Sequence, residues 1–453
     1  MTLDDIVQFS GQTAEDVRQW QELGLVPKGD EFGAEELERI GLVSFAARRG
    51  IPPEEMARYC AEHGDWLDVF VRWAIPSGQG TAYDRDELAR RAELDPDTFA
   101  KLMAAAGLRD RQYGYEDDLE AVRLIATALK FGFPLQPLLQ IARVMSDSLG
   151  RVSEAMVRLF HVHVHEQFRA QGLSGPELMA ATENLADPMS ELVDPLVMYL
   201  HRKAWERANR EDMILHLLEE AAPPSAEPGE IVRTILFVDL SSFTPLTEAM
   251  GDAAAARIVE RFSDMVRDTA ADCDGQVLKQ IGDEFMLVFP DPQRAVSFGV
   301  GIQRAAAAEP RFPALRIGAQ SGSILYREGD YVGANVNLAA RVTSAAARNQ
   351  FLVTDAVHQA VELEGINFHG VGSRSLKGVS EAVELYEVRT GDGRTLRAAD
   401  PVCGMELDEE TSEARLAWEG RPLLFCSENC LRRFLESPDR YDVGPMEDGN
   451  AHE

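Results

Sequence analysis

Cysteine is scarce in this sequence, and long apolar runs are absent. Only five cysteines occur among 453 residues, and three of them, Cys403, Cys426 and Cys430, lie close to the C-terminus. In a reducing compartment, such a grouping suggests a metal site more than a disulfide. The N-terminal stretch MTLDDIVQF lacks the basic start and apolar core of a signal peptide, and no apolar run approaches the length of a bilayer span. We therefore expect a soluble, cytoplasmic protein without a membrane span.

Positive charge is also scarce relative to negative charge. The chain has 45 basic and 76 acidic residues, which gives a net charge of -31. Such a balance repels phosphate backbones and anionic membranes, although a local basic patch could still bind a nucleotide. Nucleic acid is therefore a disfavoured partner. The length predicts two to four domains, and the apolar fraction of 45% indicates globular folding.

Two breaks rich in proline, glycine and charge divide the chain. They read AAPPSAEPGE at 221–230, which we interpret as a linker, and RTGDGRTLRAAD at 389–400. The breaks predict a multidomain protein with an all-α N-terminal region, an α+β middle domain at 231–390 and a small α+β module at 400–441.

The N-terminal half contains a weak internal repeat. Residues 23–59 and 106–141 share a Gly-Leu pair, a polar turn with an aromatic residue, an acidic helix start and a closing glycine. This order resembles regulators of the mercury-resistance type and predicts a winged-helix-like repeat at 1–65 and a helical regulatory domain at 80–220. Residues 1–65 carry 14 acidic and 6 basic residues, and 81–145 carry 11 and 9. A structural or regulatory role is therefore favoured over DNA binding.

Three histidines, His161, His163 and His165, occur in the stretch HVHVHEQF. On a helix, His161 and His165 share a face while His163 points away from them, so the three do not readily bind one metal ion. Packed or solvated helix histidines are the simpler interpretation. A pH-sensing role stays open because histidine titrates near neutral pH.

Phosphate chemistry is indicated in the middle domain. The apolar run ILFV predicts a buried strand that ends at Asp239, and SSFT then begins an amphipathic helix. A helix start presents free N–H groups to an anion, and an adjacent carboxylate can hold its metal ion. The stretch GQVLKQIGDEFMLVF predicts a hairpin that turns at Ile281-Gly282, with Asp283 just beyond. Neighbouring strands could bring Asp239 and Asp283 together as a two-metal site, although turns attract aspartate in any case.

The middle domain resembles the class III nucleotidyl cyclases over about 160 residues, 230–390. The motifs FVDLSSFT, LKQIGDEFM, LRIGAQSG, GDYVGANVNLAARV and RSLKGV occur in the order and approximate spacing of that family. The resemblance implies a ferredoxin-like α+β fold. It further implies that Asp239 and Asp283 bind two Mg²⁺ or Mn²⁺ ions, and that Arg316 contacts the triphosphate from the same subunit. Ser242 is a departure, because the family often has glycine there.

Five further positions match residues that, in this family, come from the opposite subunit, so the resemblance implies a homodimer. Lys279 and Asp330 match the pair that binds the purine, Asn337 and Arg341 match residues that act in the transition state, and Lys377 matches a phosphate ligand. Taken singly, Asn337 and Arg341 would be an ordinary surface pair on a helix, and Lys377 an ordinary loop lysine.

The purine pair can be judged chemically. Adenine presents an acceptor at N1 and a donor at its 6-amino group, which suit a lysine and an aspartate, whereas guanine has the opposite polarity. Lys279 with Asp330 therefore favours ATP, and predicts an adenylate cyclase that forms cyclic AMP and pyrophosphate. The alternatives are a guanylate cyclase, or a non-catalytic sensor or transcriptional regulator that keeps a cyclase-like domain for dimerisation.

The C-terminal stretch at 400–441 closely resembles a YHS domain, a small metal-associated module. The motifs that show this resemblance are DPVCGM, FCSENC and the closing PDRY. Cys426 and Cys430 would share a helix face, and Cys403 would approach from a hairpin. Three thiolates suit Zn²⁺ or Cu⁺, but no fourth protein ligand is evident, and cysteines that only pack are the alternative. Residues 80–220 also look like the regulatory domain of actinobacterial-type adenylate cyclases, which implies control by pH or an unknown ligand such as a lipid.

Overall fold

The structure of the chain, a computed structural model, describes residues 1–68, 71, 81–219, 230–390 and 398–441. It divides into two compact units, residues 1–223 and 224–453. The interpreted linker at 221–230 lies outside the described residues except for Glu230.

The first unit is helical, as predicted. Its described helices are α1 Leu3–Ser10, α2 Ala14–Glu22, α3 Ala34–Ala47, α4 Pro53–His63, α5 Arg85–Arg91, α6 Pro96–Ala105, α7 Glu116–Lys130, α8 Leu135–Phe160, a π-helical turn His161–His165, α9 Glu166–Ala170 and α10 Gly175–Glu219. Thr2 and Thr13 begin α1 and α2 with capping boxes that satisfy the free N–H groups of the first turn. Two-residue strands, β1 Tyr83–Asp84 and β2 Tyr113–Gly114, pair antiparallel within this unit.

The predicted α+β fold is confirmed in the second unit. Its cyclase-like elements are β3 Glu230–Leu240, α11 Phe243–Met250, α12 Asp252–Asp272, β4 Gln276–Ile281, β5 Glu284–Phe289, α13 Pro292–Ala308, β6 Leu315–Arg327, β7 Asp330–Val332, α14 Ala334–Ala345, β8 Gln350–Thr354, α15 Asp355–His358, β9 Ile366–Arg374 and β10 Val383–Thr390. The strand order is β4-β5-β3-β6-β8-β10-β9, with β7 on β6. Strands β3 to β6, with their helices, form the β-α-β-β-α-β unit of a ferredoxin-like fold.

The central strand β3 is buried on both faces of the sheet. Leu236 and Val238 pack into the large core with α12 and α13, whereas Ile235 and Phe237 pack in the cluster that contains residues of α14. Because side chains alternate along a strand, Asp239 continues the α14 face. The last side chain on that face of β3 is therefore a carboxylate.

Helix α14 lies close against β6 because two glycines of that strand present no side chain to it. A Cβ atom at Gly318 would contact the backbone nitrogen of Thr343, and one at Gly322 would lie 2.6 Å from the Asn335 amide. Backbone atoms cannot yield as a flexible side chain can. Helix α14, which carries Asn337 and Arg341, can therefore pack this closely against β6 because residues 318 and 322 have no side chains.

We expect Gly318→Ala to destabilise the second unit. The added methyl group must displace the α14 backbone, which costs about 2–3 kcal/mol, and the unfolding midpoint should fall by several degrees in calorimetry of the full chain. Gly370→Ala is the matched control, because Gly370 lies in β9 and a Cβ atom there meets nothing within 4 Å. Equal midpoints for the two variants would contradict this account of the α14 contact.

A small module follows the sheet and completes the second unit. It contains β11 Ala398–Ala399, β12 Glu406–Leu407, β13 Ala414–Trp418, β14 Arg421–Phe425, α16 Glu428–Glu436 and a 3₁₀ turn Pro438–Arg440. Its buried residues, such as Phe425 and Phe434, belong to the same hydrophobic cluster as the main sheet. Among the described helices of the whole chain, none combines the length and apolarity needed to cross a bilayer.

Candidate active site

Two aspartates and an arginine meet at the end of β3. In the sheet register, Asp239 is opposite Arg316 of β6 on one side and Glu284 of β5 on the other. Asp283 immediately precedes Glu284, just after Gly282, whose φ of 64° allows the tight turn between β4 and β5. The structure therefore brings Asp239, Asp283 and Arg316 together.

The electrostatics of this cluster are dominated by negative charge. Burial, together with the charge and hydrogen bond of Asp239, raises the pKa of Asp283 to about 7. Burial, and then the charge of Asp239, also raises the pKa of Glu284. Arg316 Nη2 forms an ion pair with Asp239 Oδ2, while Arg316 Nε is buried without a hydrogen-bond partner among the described residues. The carboxylates thus repel one another, and part of the guanidinium is unsatisfied.

Glu284 was not assigned to the site by the sequence motifs. It lies on the same sheet face as Asp239, half-buried and directly opposite in register. The signal that could have found it is the pairing of the two strands, because a residue opposite a site aspartate shares its face. That register depends on how β3 pairs with β5, so it is not visible in either segment alone.

Lys279 and Asp330 form an ion pair with each other. Their Nζ and Oδ2 atoms are 2.6 Å apart, with the side chains 37% and 40% exposed. Lys279 lies in β4 opposite Met286, and Asp330 begins β7. Residues separated by 51 positions are thus adjacent, and both side chains remain accessible to a ligand.

Three other sequence-predicted residues do not join the aspartates within one chain. Asn337 and Arg341 lie one turn apart on α14, and Lys377 lies between β9 and β10; all three are exposed. In the part of the chain that the structure describes, none of the three side chains forms a hydrogen bond or an ion pair with Asp239 or Asp283. A single chain therefore assembles part of the predicted residue set.

Ser242 occupies a backbone conformation that favours glycine. Its φ of 65° and ψ of 31° place it in the left-handed region directly before α11. Its Oγ accepts a hydrogen bond from Arg348 Nη1 at 3.4 Å. The serine therefore adds a side-chain contact at a turn whose geometry explains the family's preference for glycine.

The C-terminal module contains a compact group of metal-type ligands. Candidate ligand atoms of Asp400, Cys403, Cys426 and Cys430 all lie within 4.8 Å of one another, and all four residues are buried. The Sγ atoms of Cys403 and Cys426 are 3.4 Å apart, and those of Cys426 and Cys430 3.6 Å. Sulfur ligands about 2.3 Å from a tetrahedral zinc ion would be about 3.8 Å apart, so the group needs little adjustment.

Asp400 is a candidate ligand that the sequence analysis missed. Its Oδ1 accepts from Val402 N at 2.8 Å and Cys403 N at 3.3 Å, and its Oδ2 accepts from Cys426 N at 2.7 Å. Hydrogen bonds from Cys403, and then from Cys426, lower the pKa of Cys430 to about 4, which favours a thiolate there. Three sulfur ligands and one carboxylate fit a divalent ion such as Zn²⁺ better than they fit Cu⁺.

Two parts of the second unit match known protein families. Residues 226–390 match the family described as adenylate and guanylate cyclase catalytic domain, and residues 398–443 match the YHS domain family. The chain therefore contains a cyclase catalytic domain followed by a YHS domain, which confirms the resemblance found in the sequence.

Several characterised proteins are similar over most of their length. A pH-sensitive adenylate cyclase of Mycobacterium tuberculosis is 27% identical over 387 residues, covering 81% of this chain and 92% of that protein. An adenylate cyclase of Streptomyces griseus is 27% identical over 290 residues, covering 62% and 69%. The solved adenylyl cyclase CyaB of P. aeruginosa is 22% identical and covers 37% of this chain and 97% of that one. The TM-score between the two structures is 0.32.

Proposed function

We propose that the chain is an adenylate cyclase, which converts ATP to 3',5'-cyclic AMP and pyrophosphate as a homodimer. The observation that carries the proposal is the cluster of Asp239, Asp283 and Arg316 at the end of β3, together with the accessible Lys279–Asp330 pair. The similarity to proteins named adenylate cyclase supports it. The reaction is an in-line attack of the ribose 3'-hydroxyl on the α-phosphorus, which needs no covalent nucleophile.

The aspartate cluster fits two Mg²⁺ or Mn²⁺ ions. Hard divalent ions prefer oxygen ligands, and the mutual repulsion of Asp239 and Asp283 decreases when a cation binds between them. When bound, the ions supply activation of the hydroxyl and charge neutralisation at the phosphates. Arg316, which pairs with Asp239 in this structure, would hold the triphosphate by exchanging that carboxylate for a phosphate oxygen. The buried and unpaired Nε of Arg316 is consistent with that exchange of partners.

Adenine recognition is assigned to Lys279 and Asp330. The ammonium group donates to N1 of adenine, and the carboxylate accepts from the 6-amino group. Their ion pair holds the two groups side by side before the substrate arrives. Guanine would place a donor against the lysine and an acceptor against the carboxylate, so GTP is disfavoured.

The site residues other than Asp239, Asp283 and Arg316 are proposed to come from a second copy of the chain, and these include the Lys279–Asp330 pair. Asn337, Arg341 and Lys377 are exposed and lack contacts to the aspartates of their own chain. In the partner's site, Asn337 orients the ribose, while Arg341 and Lys377 offset negative charge on the phosphates. The complete set therefore requires two chains, and each dimer holds two equivalent sites.

An apolar stripe on α10 supports self-association. Residues at alternating spacings of four and three expose 40–65% of their surface within the single chain: Leu185, Met189, Leu192, Leu196 and Tyr199. Apolar residues at this heptad spacing form the seam of two packed helices. A second α10 would cover the stripe and bring two catalytic domains into one particle.

The proposal is tested by incubating the purified full chain with Mn²⁺ and either ATP or GTP. We expect cyclic AMP from ATP, and at least about tenfold less cyclic GMP from GTP, since each mismatched polar contact costs about 1–3 kcal/mol. Predominant cyclic GMP would support the guanylate cyclase alternative. No cyclic nucleotide from either substrate, across pH and metal ions, would instead support a non-catalytic sensor.

The first unit offers a pH-responsive element at the π-helical turn. The rings of His161 and His165 stack with centroids 4.9 Å apart, and Trp66 contacts His165 edge-on at 6.0 Å. Thr182 Oγ1 is 3.4 Å from His165 Nδ1, and the charged groups around the stack are Glu166 and Arg169. Burial, and then the charge of His161, lowers the pKa of His165. We propose that acid weakens this unit by protonating His165 within the stack.

The direction of the pH effect follows from the lowered pKa. Neutral His165 contributes stability that is present above the unfolded value of about 6.5 and is lost as the pH falls toward the folded value. We expect acidification from about pH 7.5 to about pH 5.5 to lower the thermal midpoint less in His165→Gln than in the native chain. His201→Gln, an exposed position on α10, is the control and should keep the native response. An unchanged pH response in His165→Gln would exclude this residue as the sensor.

A further inference from the structure

The YHS module is joined to the catalytic domain at the helix that follows Asp239. Arg348 connects the two. Its Nη2 donates a hydrogen bond to Gly404 O of the module at 2.6 Å, and its Nη1 donates to Oγ of Ser242, the residue before α11, at 3.4 Å. Gly404 has a φ of 74°, and a Cβ atom there would lie 2.6 Å from the Ser242 Cβ. The loop at 400–405 is therefore in close contact with the turn that starts α11.

The module also contacts the C-terminal end of α11. Asn429 Nδ2 donates to Ala249 O at 3.1 Å, and Arg440 Nη2 is 3.6 Å from Glu248 Oε2. Helix α11 ends at Met250, so both contacts are in its last turn. The YHS module thus contacts α11 at both ends, from two different parts of the module.

A second connection reaches the strand that carries Arg316. Asn349 Nδ2 donates to Glu406 Oε1, and Asn349 Oδ1 accepts from Leu315 N at 3.2 Å. Glu406 N also donates to Phe312 O at 3.2 Å. Leu315 directly precedes Arg316, and Ser242 lies three residues after Asp239, so the module contacts the chain close to both members of the Asp239–Arg316 pair.

The four metal-type ligands are distributed over the parts of the module that make these contacts. Asp400 and Cys403 belong to the loop that touches the start of α11, and Gly404 is the next residue. Cys430 lies on α16 beside Asn429, which touches the end of α11. Cys426 directly follows β14. An ion bound by all four would therefore cross-link the two contacts on α11.

The contact between the module and the catalytic domain has room to change. A cleft of about 720 Å³ lies between them, and its lining includes Ser242, Glu248, Arg348, Asp400 and Arg440. A close-packed interface would resist rearrangement, whereas a cleft of this size lets the loop and the arginines shift. The polar side chains that line the cleft therefore have space to move, while the apolar residues of the module pack in the same cluster as the main sheet.

We propose that metal binding by Asp400, Cys403, Cys426 and Cys430 regulates the cyclase by fixing α11 at both ends. The inference rests on the proposed cyclase function for its effect on turnover. The α11 start, with its free N–H groups beside Asp239, is where the substrate phosphates are expected. Metal loading orders this turn before nucleotide binds, and so lowers the KM for ATP. The ion is a divalent soft-ligand metal of the Zn²⁺ class.

The test uses the full chain, freed of metal by chelation and then supplied with one molar equivalent of ZnCl₂ alone. We expect Zn²⁺ to bind, to slow amide hydrogen exchange in peptides covering 241–250 at least about threefold, and to lower the KM for ATP about fivefold when assayed with Mg²⁺, as for a typical allosteric coupling. Hydrogen exchange needs no turnover. Slowed exchange without cyclic AMP would therefore support the coupling while contradicting the cyclase function.

Two variants separate coupling from direct effects of zinc. Cys426→Ser/Cys430→Ser should lose the bound zinc and both responses, and any zinc effect left in it reports binding at the catalytic aspartates. Arg348→Ala keeps all four ligands and removes only the hydrogen bonds at the start of α11, so it should bind zinc and protect 398–441 but show clearly less slowing in 241–250 than the native chain. The proposal is overturned if zinc does not bind the native chain, if its protection stops at 398–441, or if Arg348→Ala responds in 241–250 like the native chain.

Discussion

Cyclic AMP formation by Asp283→Asn is expected to fall by a factor on the order of 10³, because the substitution removes one of two metal-binding carboxylates. The substitution should not destabilise the fold. Asparagine is nearly isosteric, and it removes the repulsion with Asp239, which together with the larger effect of burial raises the pKa of Asp283 to about 7. An amide at this position can donate a hydrogen bond to the Asp239 carboxylate. The thermal midpoint without metal should therefore be equal to or above the native value near pH 8.

Cyclic AMP formation and the thermal midpoint are both measured on the same preparation of each variant. Asp268→Asn is the matched control, since Asp268 is an exposed carboxylate on α12, and it should retain native activity. Added Mn²⁺ should raise the native midpoint by mass action but leave that of Asp283→Asn nearly unchanged. Native activity in Asp283→Asn would remove Asp283 from the proposed site, whatever the midpoint.

Mixing two inactive chains is expected to restore activity. Asp239→Ala removes a metal ligand and Lys279→Ala removes a base contact, and the proposal assigns these roles to opposite subunits of one site. A heterodimer of the two variants then has one intact site and one doubly defective site. If chains mix at random, cyclic AMP formation should reach about a quarter of the native rate, because half of the dimers are heterodimers.

The informative control mixes Asp239→Ala with Asp283→Ala. Both carboxylates belong to the same chain's half of the site, since they meet within one chain, so no heterodimer contains an intact pair. That mixture should stay inactive. Equal recovery in both mixtures, or none in the first despite mixed dimers shown by mass spectrometry, would contradict the shared-site arrangement.

The two largest effects therefore depend on different features. The loss in Asp283→Asn depends on contacts within one chain, which the strand register determines. The recovery on mixing depends on contacts between chains, for which the exposed Asn337 and Arg341 and the α10 stripe are the supporting observations. A chain that loses activity in the first experiment but shows no recovery in the second would be a cyclase with a different assembly.

Local patterns predicted the elements of the catalytic domain well. The run ILFV lies in the buried strand β3, and the turn at Ile281-Gly282 joins β4 and β5. Strand periodicity and turn chemistry act over a few neighbouring residues, so they are legible in the sequence. The ordered motifs likewise predicted the cyclase and YHS families, which the family matches confirm.

The sequence by itself determined the family, the order of the domains and the residues expected to act. Only the tertiary structure decided that Glu284 faces Asp239, that Asp400 joins the three cysteines, and that the YHS module holds both ends of α11. The first of these contacts depends on strand register, the second on a buried loop, and the third on a domain contact between residues far apart in the chain. Such contacts are set by the shape and charge of the folded surfaces, and no local periodicity encodes them.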